Sequence, residues 1–291
     1  MLLQFMQKQY QLKTQLKMAV TFQAENHKYQ SLDPDDRIEW TSVTSFVALF
    51  KQKFDPISQS IKSSQNKRSK WYGMDPKEIQ AHWTSETDRA ITAGSWYHDQ
   101  RESDLMSIDT LQRQGINIPI IKPIWEGTIK KAPVQRLTEG IYPEHFVYLK
   151  SAGVCGQSDR VEVVKDTVDI IDYKTNKEIK KFSFVNWEGK SVKMTGPCSH
   201  LDDCNFNHYA LQLSIYMYII IKHNPRYKPG KLMLHHVIFE KEGEDKFGNP
   251  IPRKDLEGNP IVKEVIPYEA PYMKSEVIAM INWLSDNKKK V

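Results

Sequence analysis

Residues 156–175, GQSDRVEVVKDTVDIIDYKT, carry the pattern that decides the fold. The segment DRVEVVK alternates valine with polar residues, VDIIDYKT is a second and more apolar segment, and Lys165–Asp166 separates the two. Two such segments on either side of a two-residue turn predict a β-hairpin. Counting outward from that turn along both strands brings Asp159 opposite Asp172.

The predicted hairpin places three charged side chains at one point of the sheet. Facing residues on one side of an antiparallel pair have Cβ atoms about 4.5–5.5 Å apart, and Lys174 projects from the same face as Asp172. Two carboxylates this close repel each other unless a cation lies between them. Hard cations such as Mg²⁺ take oxygen ligands, so Asp159 and Asp172 are candidate metal ligands, and Lys174 is placed to hold or help deprotonate a water. The alternative is a solvated strand end with a surface ion pair, because an isolated Asp-x-Lys is common.

The composition is ordinary for a globular protein, with 40% hydrophobic and 26% charged residues in 291 positions. A net charge of +5 does not by itself predict a nucleic-acid partner. The local distribution is more informative, because Lys177, Lys180 and Lys181 directly follow the Asp-x-Lys segment. A phosphate backbone is a reasonable partner for that cluster, and a solvated charged face is the alternative.

Three cysteines, Cys155, Cys198 and Cys204, provide no disulfide framework and favour a reducing compartment. Two of them lie with His200 and His208 in CSHLDDCNFNH, which leaves a zinc site as an alternative, although the spacing matches no common structural zinc pattern. The N-terminal segment MLLQFMQKQYQLK is interrupted by polar residues too early for a signal peptide. The longest apolar run, LQLSIYMYIII, is too short to span a bilayer. We therefore expect an intracellular protein with no membrane partner.

The order of the predicted elements favours an α/β protein with a central mixed β-sheet flanked by helices. Residues 1–40 are predicted to be a peripheral N-terminal helix and connector, and residues 41–240 the core. Within the core, helices are predicted from SVTSFVALFKQKF, KEIQAHW, a segment from Ser85 to Ser107, and HYALQLSIYMYIIIK, with KLMLHHVIFE as a strand. Residues 241–291 are predicted to be a loop excursion and a C-terminal helix, starting at Pro271, that packs on the core.

Two further pairs of residues have helical spacing. His98 and Glu102 in GSWYHDQRE lie one turn apart on one face, and neutral imidazole is a good metal ligand. Gln212 and Tyr216 are also one turn apart, on an otherwise apolar helix. A surface pair and a pair of satisfied core hydrogen bonds are the respective alternatives.

Together these residues form a series: Gly94-x3-His98-x3-Glu102, Gly156-x2-Asp159-Arg160, Asp172-x-Lys174 and Gln212-x3-Tyr216. The series resembles the PD-(D/E)XK nuclease superfamily, specifically its RecB-like exonuclease branch, over roughly residues 42–220. The compact format resembles stand-alone viral or phage-type members. One departure is that Gln157–Ser158 precede Asp159 where the motif usually has a proline. The resemblance implies a restriction-endonuclease-like core.

By position, the resemblance implies that His98, Asp159 and Asp172 are metal ligands and that the Tyr173 carbonyl is a further ligand. It implies that Lys174 positions and activates the attacking water.

Four other residues receive supporting roles from the resemblance. Gln212 and Tyr216 would contact the DNA backbone or brace the site. Lys177, Lys180 and Lys181 would form a DNA-binding surface beside them. Glu102 and Glu144 are candidates for supporting the ligands or for holding an outer metal, although the spacing argument does not place Glu144 at the site.

The resemblance implies a Mg²⁺- or Mn²⁺-dependent deoxyribonuclease that leaves 5′ phosphates. An exonuclease acting on single- or double-stranded DNA ends in repair, recombination or replication is expected; a structure-selective endonuclease and an inactive DNA-binding module are the alternatives. Three cysteines cannot hold the four-cysteine iron–sulfur cluster of some relatives, so none is expected. No Gly-x4-Gly-Lys-Ser/Thr motif is present, so a helicase, recombinase or single-strand-binding protein would be a separate partner. The expected location is cytoplasmic or nucleoid-associated, including the host of a virus or phage.

Overall fold

Fourteen strands and five α-helices make up the described part of the chain. The computed structural model describes residues 20–23, 28–31, 35–130, 135–185 and 189–288. The strands are β1 (Val20–Gln23), β2 (Lys28–Ser31), β3 (Thr41–Ser42), β4 (Thr110–Arg113), β5 (Ile116–Pro119), β6 (Trp125–Glu126), β7 (Ile129–Lys130), β8 (Gly140–Leu149), β9 (Val154–Val164), β10 (Thr167–Lys174), β11 (Lys228–Phe239), β12 (Lys241–Glu244), β13 (Pro250–Pro252) and β14 (Val262–Ala270). The helices are α1 (Val43–Ala48), α2 (Pro56–Gln65), α3 (Pro76–Met106), α4 (Asn205–His223) and α5 (Lys274–Lys288).

A six-stranded mixed sheet forms the centre of the protein. Its order is β14-β11-β10-β9-β3, with β8 paired to the other edge of β9. The β10–β11 and β3–β9 pairs are parallel, and the remaining pairs are antiparallel. Because parallel neighbours need a crossover connection, the chain leaves β10 and returns to β11 through α4. The predicted α/β class with a central mixed sheet is confirmed.

The predicted hairpin is present in the predicted register. Pairing between β9 and β10 runs from Val164–Thr167 to Arg160–Ile171. Lys165 occupies the left-handed region with φ of 58°, as two-residue hairpin turns require. Continued by one residue, this register would bring Asp159 opposite Asp172, but the pairing ends at Arg160–Ile171.

The helices begin where polar capping residues precede apolar ones. The Ser42 side chain accepts a hydrogen bond from the Ser45 N–H and caps α1. This helix ends at Ala48 rather than continuing to residue 54, because the Phe50 carbonyl turns away to accept a bond from the Thr195 N–H at 2.8 Å. The two helices predicted between Pro76 and Ser107 form the single α3, since no glycine or proline interrupts residues 77–93.

The main core lies between one face of the central sheet and helices α1, α4 and α5. Helix α4 contributes Ala210, Leu211, Leu213, Ile215 and Met217, all essentially inaccessible to solvent. Helix α5 packs against this cluster, as predicted, through Val277, Met280, Ile281 and Leu284, together with Met273 just before it. No helix in the described ranges is long and apolar enough to cross a membrane.

Two predictions about the periphery are wrong. The connector predicted before residue 40 contains the β1–β2 hairpin, which joins β7 and β6 in a second, four-stranded sheet; the predicted N-terminal helix lies outside the described residues. The central sheet also does not end at residue 240, because β14 pairs with β11 from Leu232–Ala270 onward. Charges and Pro267 hide this strand in the sequence, and an edge strand tolerates both.

Candidate functional site

The site begins where β9 and β10 separate. Beyond Ile171, the backbone N–H of Tyr173 donates to the side chain of Asp159, with 2.7 Å between N and Oδ2. The carboxylate therefore takes the place that a strand carbonyl would occupy in a continuous ladder, and it is fixed at the edge of the opening between the strands.

Helix α3 delivers His98 to this opening. Its Nδ1 lies 3.3 Å from Asp159 Oδ2, and its ring meets the Tyr173 ring edge-on at 5.9 Å between centroids. The helix approaches closely because Gly94 has no side chain: a Cβ there would lie 3.0 Å from Thr175 Oγ1. The glycine of the Gly-x3-His spacing therefore has a steric function. Glu102, one turn further along α3, lines the open cleft that leads to His98.

Glu144 completes a group of three ligand-type side chains. Single donor atoms of His98, Glu144 and Asp159 all lie within 4.8 Å of one another, and no second group of this kind occurs among the described residues. Glu144 lies in β8 with φ of 43°, a conformation that costs energy for a non-glycine residue. The structure thus brings to the site a residue that the spacing argument did not place there.

Asp172 lies beside this group and pairs with Lys174. Asp172 is 1% exposed, and its Oδ2 is 2.6 Å from Lys174 Nζ. Neither oxygen makes a well-angled hydrogen bond with a described residue, so the ion pair is its main polar contact. Lys174 Nζ also lies 4.8 Å from the centre of the Tyr209 ring. Tyr209, a residue of α4 that sequence reasoning missed, donates to Asn176 Oδ1 at 2.5 Å.

The electrostatics reflect three carboxylates crowded into a buried place. Burial disfavours the imidazolium of His98, but the Asp159 carboxylate outweighs burial and raises the pKa of His98 to about 9. Burial, reinforced by Asp159, raises the pKa of Glu144 to about 8. Burial also raises the pKa of Asp172 to about 6 against the opposing charge of Lys174. The lysine has a raised pKa, because Asp172 and Asp159 overcome its burial, and it is therefore a cation at neutral pH.

These features fit a divalent cation. Carboxylate oxygens suit Mg²⁺ and Mn²⁺, and imidazole is a common ligand of divalent transition metals. With pKa values of about 8 and about 9, Glu144 and His98 hold protons at neutral pH that a divalent cation would displace. His98, Glu144 and Asp159 would hold the metal, with Asp172 adjacent to it. Tyr173 contributes a fixed backbone through its N–H, while its ring is buried against Tyr97.

An open cleft of about 760 Å³ leads to the group and is lined by His98, Glu102 and Glu144. Lys130, from the small second sheet, closes one side of it and is only 2% exposed. Its Nζ donates to the Glu144 carbonyl and to Gln157 Oε1, both at 2.6 Å. Lys130 thereby fixes the backbone of the strained Glu144. No local sequence signal places Lys130 here, because β7 reaches the site through the second sheet.

Gln212 and Tyr216 lie together on α4, as predicted. Gln212 Nε2 donates to Tyr216 Oη at 3.3 Å. Tyr216 is 3% exposed and packs on Gly156, where a Cβ would lie 3.0 Å from Tyr216 Cε1 and 3.1 Å from Val43 Cγ2. Tyr216 therefore supports β9 from behind, and only the half-buried Gln212 is in a position to meet a ligand.

The lysine cluster is exposed on the segment after β10. Lys177 lines a cavity beside α3, Lys180 pairs with Glu178 at 2.9 Å, and Lys181 lies over the rings of Phe206 and Tyr268. The cysteines are free and buried.

The two histidines of the zinc site that the sequence left as an alternative contact carboxylates instead of the cysteines. His200 contacts Glu276 at 3.2 Å, and His208 contacts Asp203 at 2.5 Å. Within the described ranges, no metal group includes these cysteines or histidines.

Comparisons with known proteins leave the family open. No family model matches the chain, and no curated protein matches it. A solved structure described as "Crystal structure of SSO0001" aligns with 97% of this chain and 86% of that chain, at 12% sequence identity and a TM-score of 0.31. Similarity at this level carries no functional inference.

Proposed function

We propose that the protein is a metal-dependent DNA nuclease, most simply an exonuclease acting on DNA ends in repair, recombination or replication. One observation carries the proposal: His98, Glu144 and Asp159 offer ligand atoms within 4.8 Å of one another, beside the buried Asp172–Lys174 pair. A metal site at an open cleft would polarise a phosphodiester and activate a water, and the fixed ammonium beside it would hold that water.

Different residues have different proposed roles in metal binding and catalysis. His98, Glu144 and Asp159 bind the metal; Asp172 adds a carboxylate at its side, and the Tyr173 carbonyl is proposed as a further ligand. A bound Mg²⁺ or Mn²⁺ would neutralise the scissile phosphate and lower the pKa of a bound water. Lys174, a cation held between Asp172 and Tyr209, donates hydrogen bonds to the attacking water and orients it.

The DNA is proposed to run past the cleft towards the exposed lysines. Lys177, Lys180 and Lys181 would neutralise backbone phosphates, which gives affinity without sequence preference. Gln212 would contact the backbone next to the metal centre, and Glu102 would support the ligand His98 from the next helical turn. A helicase, recombinase or single-strand-binding protein would supply the ends, and products would carry 5′ phosphates.

Digestion of end-labelled DNA tests this proposal. Wild-type protein should degrade linear DNA with Mg²⁺ or Mn²⁺ and stop on chelation, because the carboxylates have no catalytic power without the cation. Asp172→Ala should reduce cleavage to background while far-UV circular dichroism stays unchanged. Asp166→Ala is the matched control, since Asp166 is an exposed aspartate at the turn of the same hairpin, 2.7 Å from Lys228.

Unchanged cleavage by Asp172→Ala would refute the assignment of the centre. Cleavage of closed circles as fast as of linear DNA would favour the structure-selective endonuclease. Metal-independent DNA binding without any cleavage would favour an inactive DNA-binding module, a reading that the retained His98, Asp159, Asp172 and Lys174 argue against.

A further inference from the structure

A buried histidine holds the backbone at the point where the chain leaves β10. His236 of β11 pairs with Lys174 in the parallel register of the central sheet and is 3% exposed. Its Nε2 lies 2.6 Å from the carbonyl oxygen of Asn176. A carbonyl can only accept, so Nε2 carries the proton and donates. The bond fixes Asn176 two residues beyond Lys174.

The other ring nitrogen of His236 has no such contact. Nδ1 is buried and makes no hydrogen bond with any described residue. A buried acceptor without a partner is unfavourable, so the ring is a poor stabiliser of the sheet in which it lies. Its hydrogen bond to Asn176 is therefore the feature of His236 that needs a functional explanation.

Asn176 connects this fixed backbone to α4. Its side-chain Oδ1 accepts from the Tyr209 hydroxyl at 2.5 Å. Burial raises the pKa of Tyr209, so the phenol keeps its proton and remains a donor. Asn205 of the same helix donates to the Glu178 carbonyl at 2.8 Å and accepts from the Lys180 N–H at 2.7 Å. The segment after β10 is thus held by both β11 and α4.

The Tyr209 ring in turn faces the ammonium group of Lys174. Nζ lies 4.8 Å from the centre of the ring and 2.6 Å from Asp172 Oδ2. An aromatic face attracts a cation without accepting its proton. An ammonium has three N–H donors, so these two contacts leave a donor for a water. The Lys174 side chain is 16% exposed, as such a contact requires.

We propose that Tyr209, Asn176 and His236 are positioning residues for Lys174. The two hydrogen bonds fix the tyrosine ring, and the ring restrains the ammonium on the side away from Asp172. The inference rests on the proposed nuclease function and adds the residues that set where its ammonium points. Tyr209 and His236 act on the reaction only through Lys174, so their loss should lower kcat and leave metal binding intact.

A double-mutant cycle tests whether Tyr209 acts through Lys174. Tyr209→Leu removes the ring and keeps an apolar side chain. In single-turnover cleavage with Mg²⁺, it should lower the rate by about tenfold, with DNA and metal affinity within about twofold of the wild type. In the Lys174→Ala background it should have no further effect, because the group that the ring restrains is gone.

Tyr218→Leu is the matched control for the cycle. Tyr218 lies on the same helix, and its ring also faces a lysine, with Lys222 Nζ 5.6 Å from the ring centre. This variant should cleave at the wild-type rate. A similar loss in Tyr218→Leu and Tyr209→Leu would overturn the proposal, because it would reflect a general weakening of α4.

Conservative replacement of His236 separates the hydrogen bond from ring packing. Glutamine can place an amide N–H where the histidine has Nε2–H, whereas the shorter asparagine cannot reach that point. His236→Gln should therefore cleave close to the wild-type rate, and His236→Asn should be slower. Equal losses in both variants would overturn the role of the bond to Asn176.

The reactivity of Lys174 towards an amine-acylating reagent is a readout that needs no cleavage. Labelling in chelator, followed by mass spectrometry, should show Lys174 protected in the wild type and several-fold more reactive in Tyr209→Leu, because the ammonium has lost one of its two restraints. Tyr218→Leu should label like the wild type. Thermal melts establish that each variant is folded at the labelling temperature. If Tyr209→Leu is not, Tyr209→Phe, which loses only the bond to Asn176, replaces it, with smaller effects of the same sign.

Unchanged reactivity of Lys174 in the Tyr209 variant would overturn the proposal. An equal loss of rate with and without the Lys174 side chain would also overturn it. The proposed nuclease function fails by a different result, namely no metal-dependent cleavage of any DNA by the wild type. In that case the labelling still decides whether Tyr209 holds Lys174, so the two failures are distinguishable.

Discussion

At the scale of single residues, the decisive feature is the separation of the candidate metal ligands from the ammonium group of Lys174. Lys174 Nζ contacts Asp172 at 2.6 Å, whereas His98, Glu144 and Asp159 form the group of candidate metal ligands. Metal binding and water orientation are thus assigned to different side chains. This division predicts that the two properties can be lost independently.

Lys174→Ala should retain metal binding and lose turnover. A positioned acid–base or water-orienting group typically contributes about 10²–10⁴ in rate, and the three ligands remain in place. Metal affinity is best measured by calorimetry at pH 8, because removal of the ammonium raises the pKa of Asp172 and protons then compete with the metal. Lys228→Ala, at an exposed ion pair, is the control. Loss of metal binding in Lys174→Ala would contradict the division.

The position of Glu144 could have been predicted from the pairing register of the β8–β9 hairpin. The same counting that places Asp159 opposite Asp172 also works for the β8–β9 hairpin, where Leu149 pairs with Val154 and His145 with Ser158. Counted outward from the turn at residues 150–153, Glu144 faces Asp159. The signal was therefore present in the sequence. Lys130 has no comparable signal, because its position depends on a separate sheet.

At the scale of secondary-structure elements, α4 supports the site from behind. Tyr216 is buried against Gly156, while the half-buried Gln212 lies at the surface end of the pair. The sequence predicted that the two residues share a helix face, and it left open whether they contact DNA or brace the core. The structure favours a different role for each.

Gln212→Ala and Tyr216→Phe should therefore have different effects. Tyr216→Phe deletes a buried hydrogen bond and should lower the free energy of unfolding by about 0.5–1.5 kcal/mol. Gln212→Ala removes the same hydrogen bond and should lower the free energy of unfolding by a similar amount, but it alone should also weaken DNA binding. Tyr218→Phe, on the same helix, is the control. Thermal melts and DNA-binding titrations on the same preparations measure stability and affinity for both variants. Normal DNA affinity of the Gln212→Ala protein would show that Gln212 and Tyr216 only brace the core.

Elements were predictable where local pattern and burial agree. The β9–β10 hairpin and the capped start of α1 follow from alternation and capping chemistry. Strand β14 could not be predicted in this way, because its side chains are mostly exposed and its backbone makes the pairing with β11. Backbone pairing of an edge strand leaves little trace in side-chain pattern.

At the scale of the whole molecule, the central sheet collects the site from distant parts of the chain. His98 comes from α3, Glu144 from β8, and Asp159 and Asp172 from adjacent strands. The second sheet closes the cleft through Lys130. These long-range arrangements are set by packing between elements, which explains why local sequence patterns predicted the residues of the candidate site better than its surroundings.

The most direct test of the central claim is an anomalous difference map from crystals soaked in Mn²⁺. The account predicts a peak bonded to His98, Glu144 and Asp159, with oxygen ligands at about the 2.0–2.1 Å typical of a small hard cation such as Mg²⁺. It also predicts that the direct contact between His98 Nδ1 and Asp159 Oδ2 is replaced by metal coordination. A map without a peak at these residues, with the His98–Asp159 contact intact, would contradict the assignment of a metal centre.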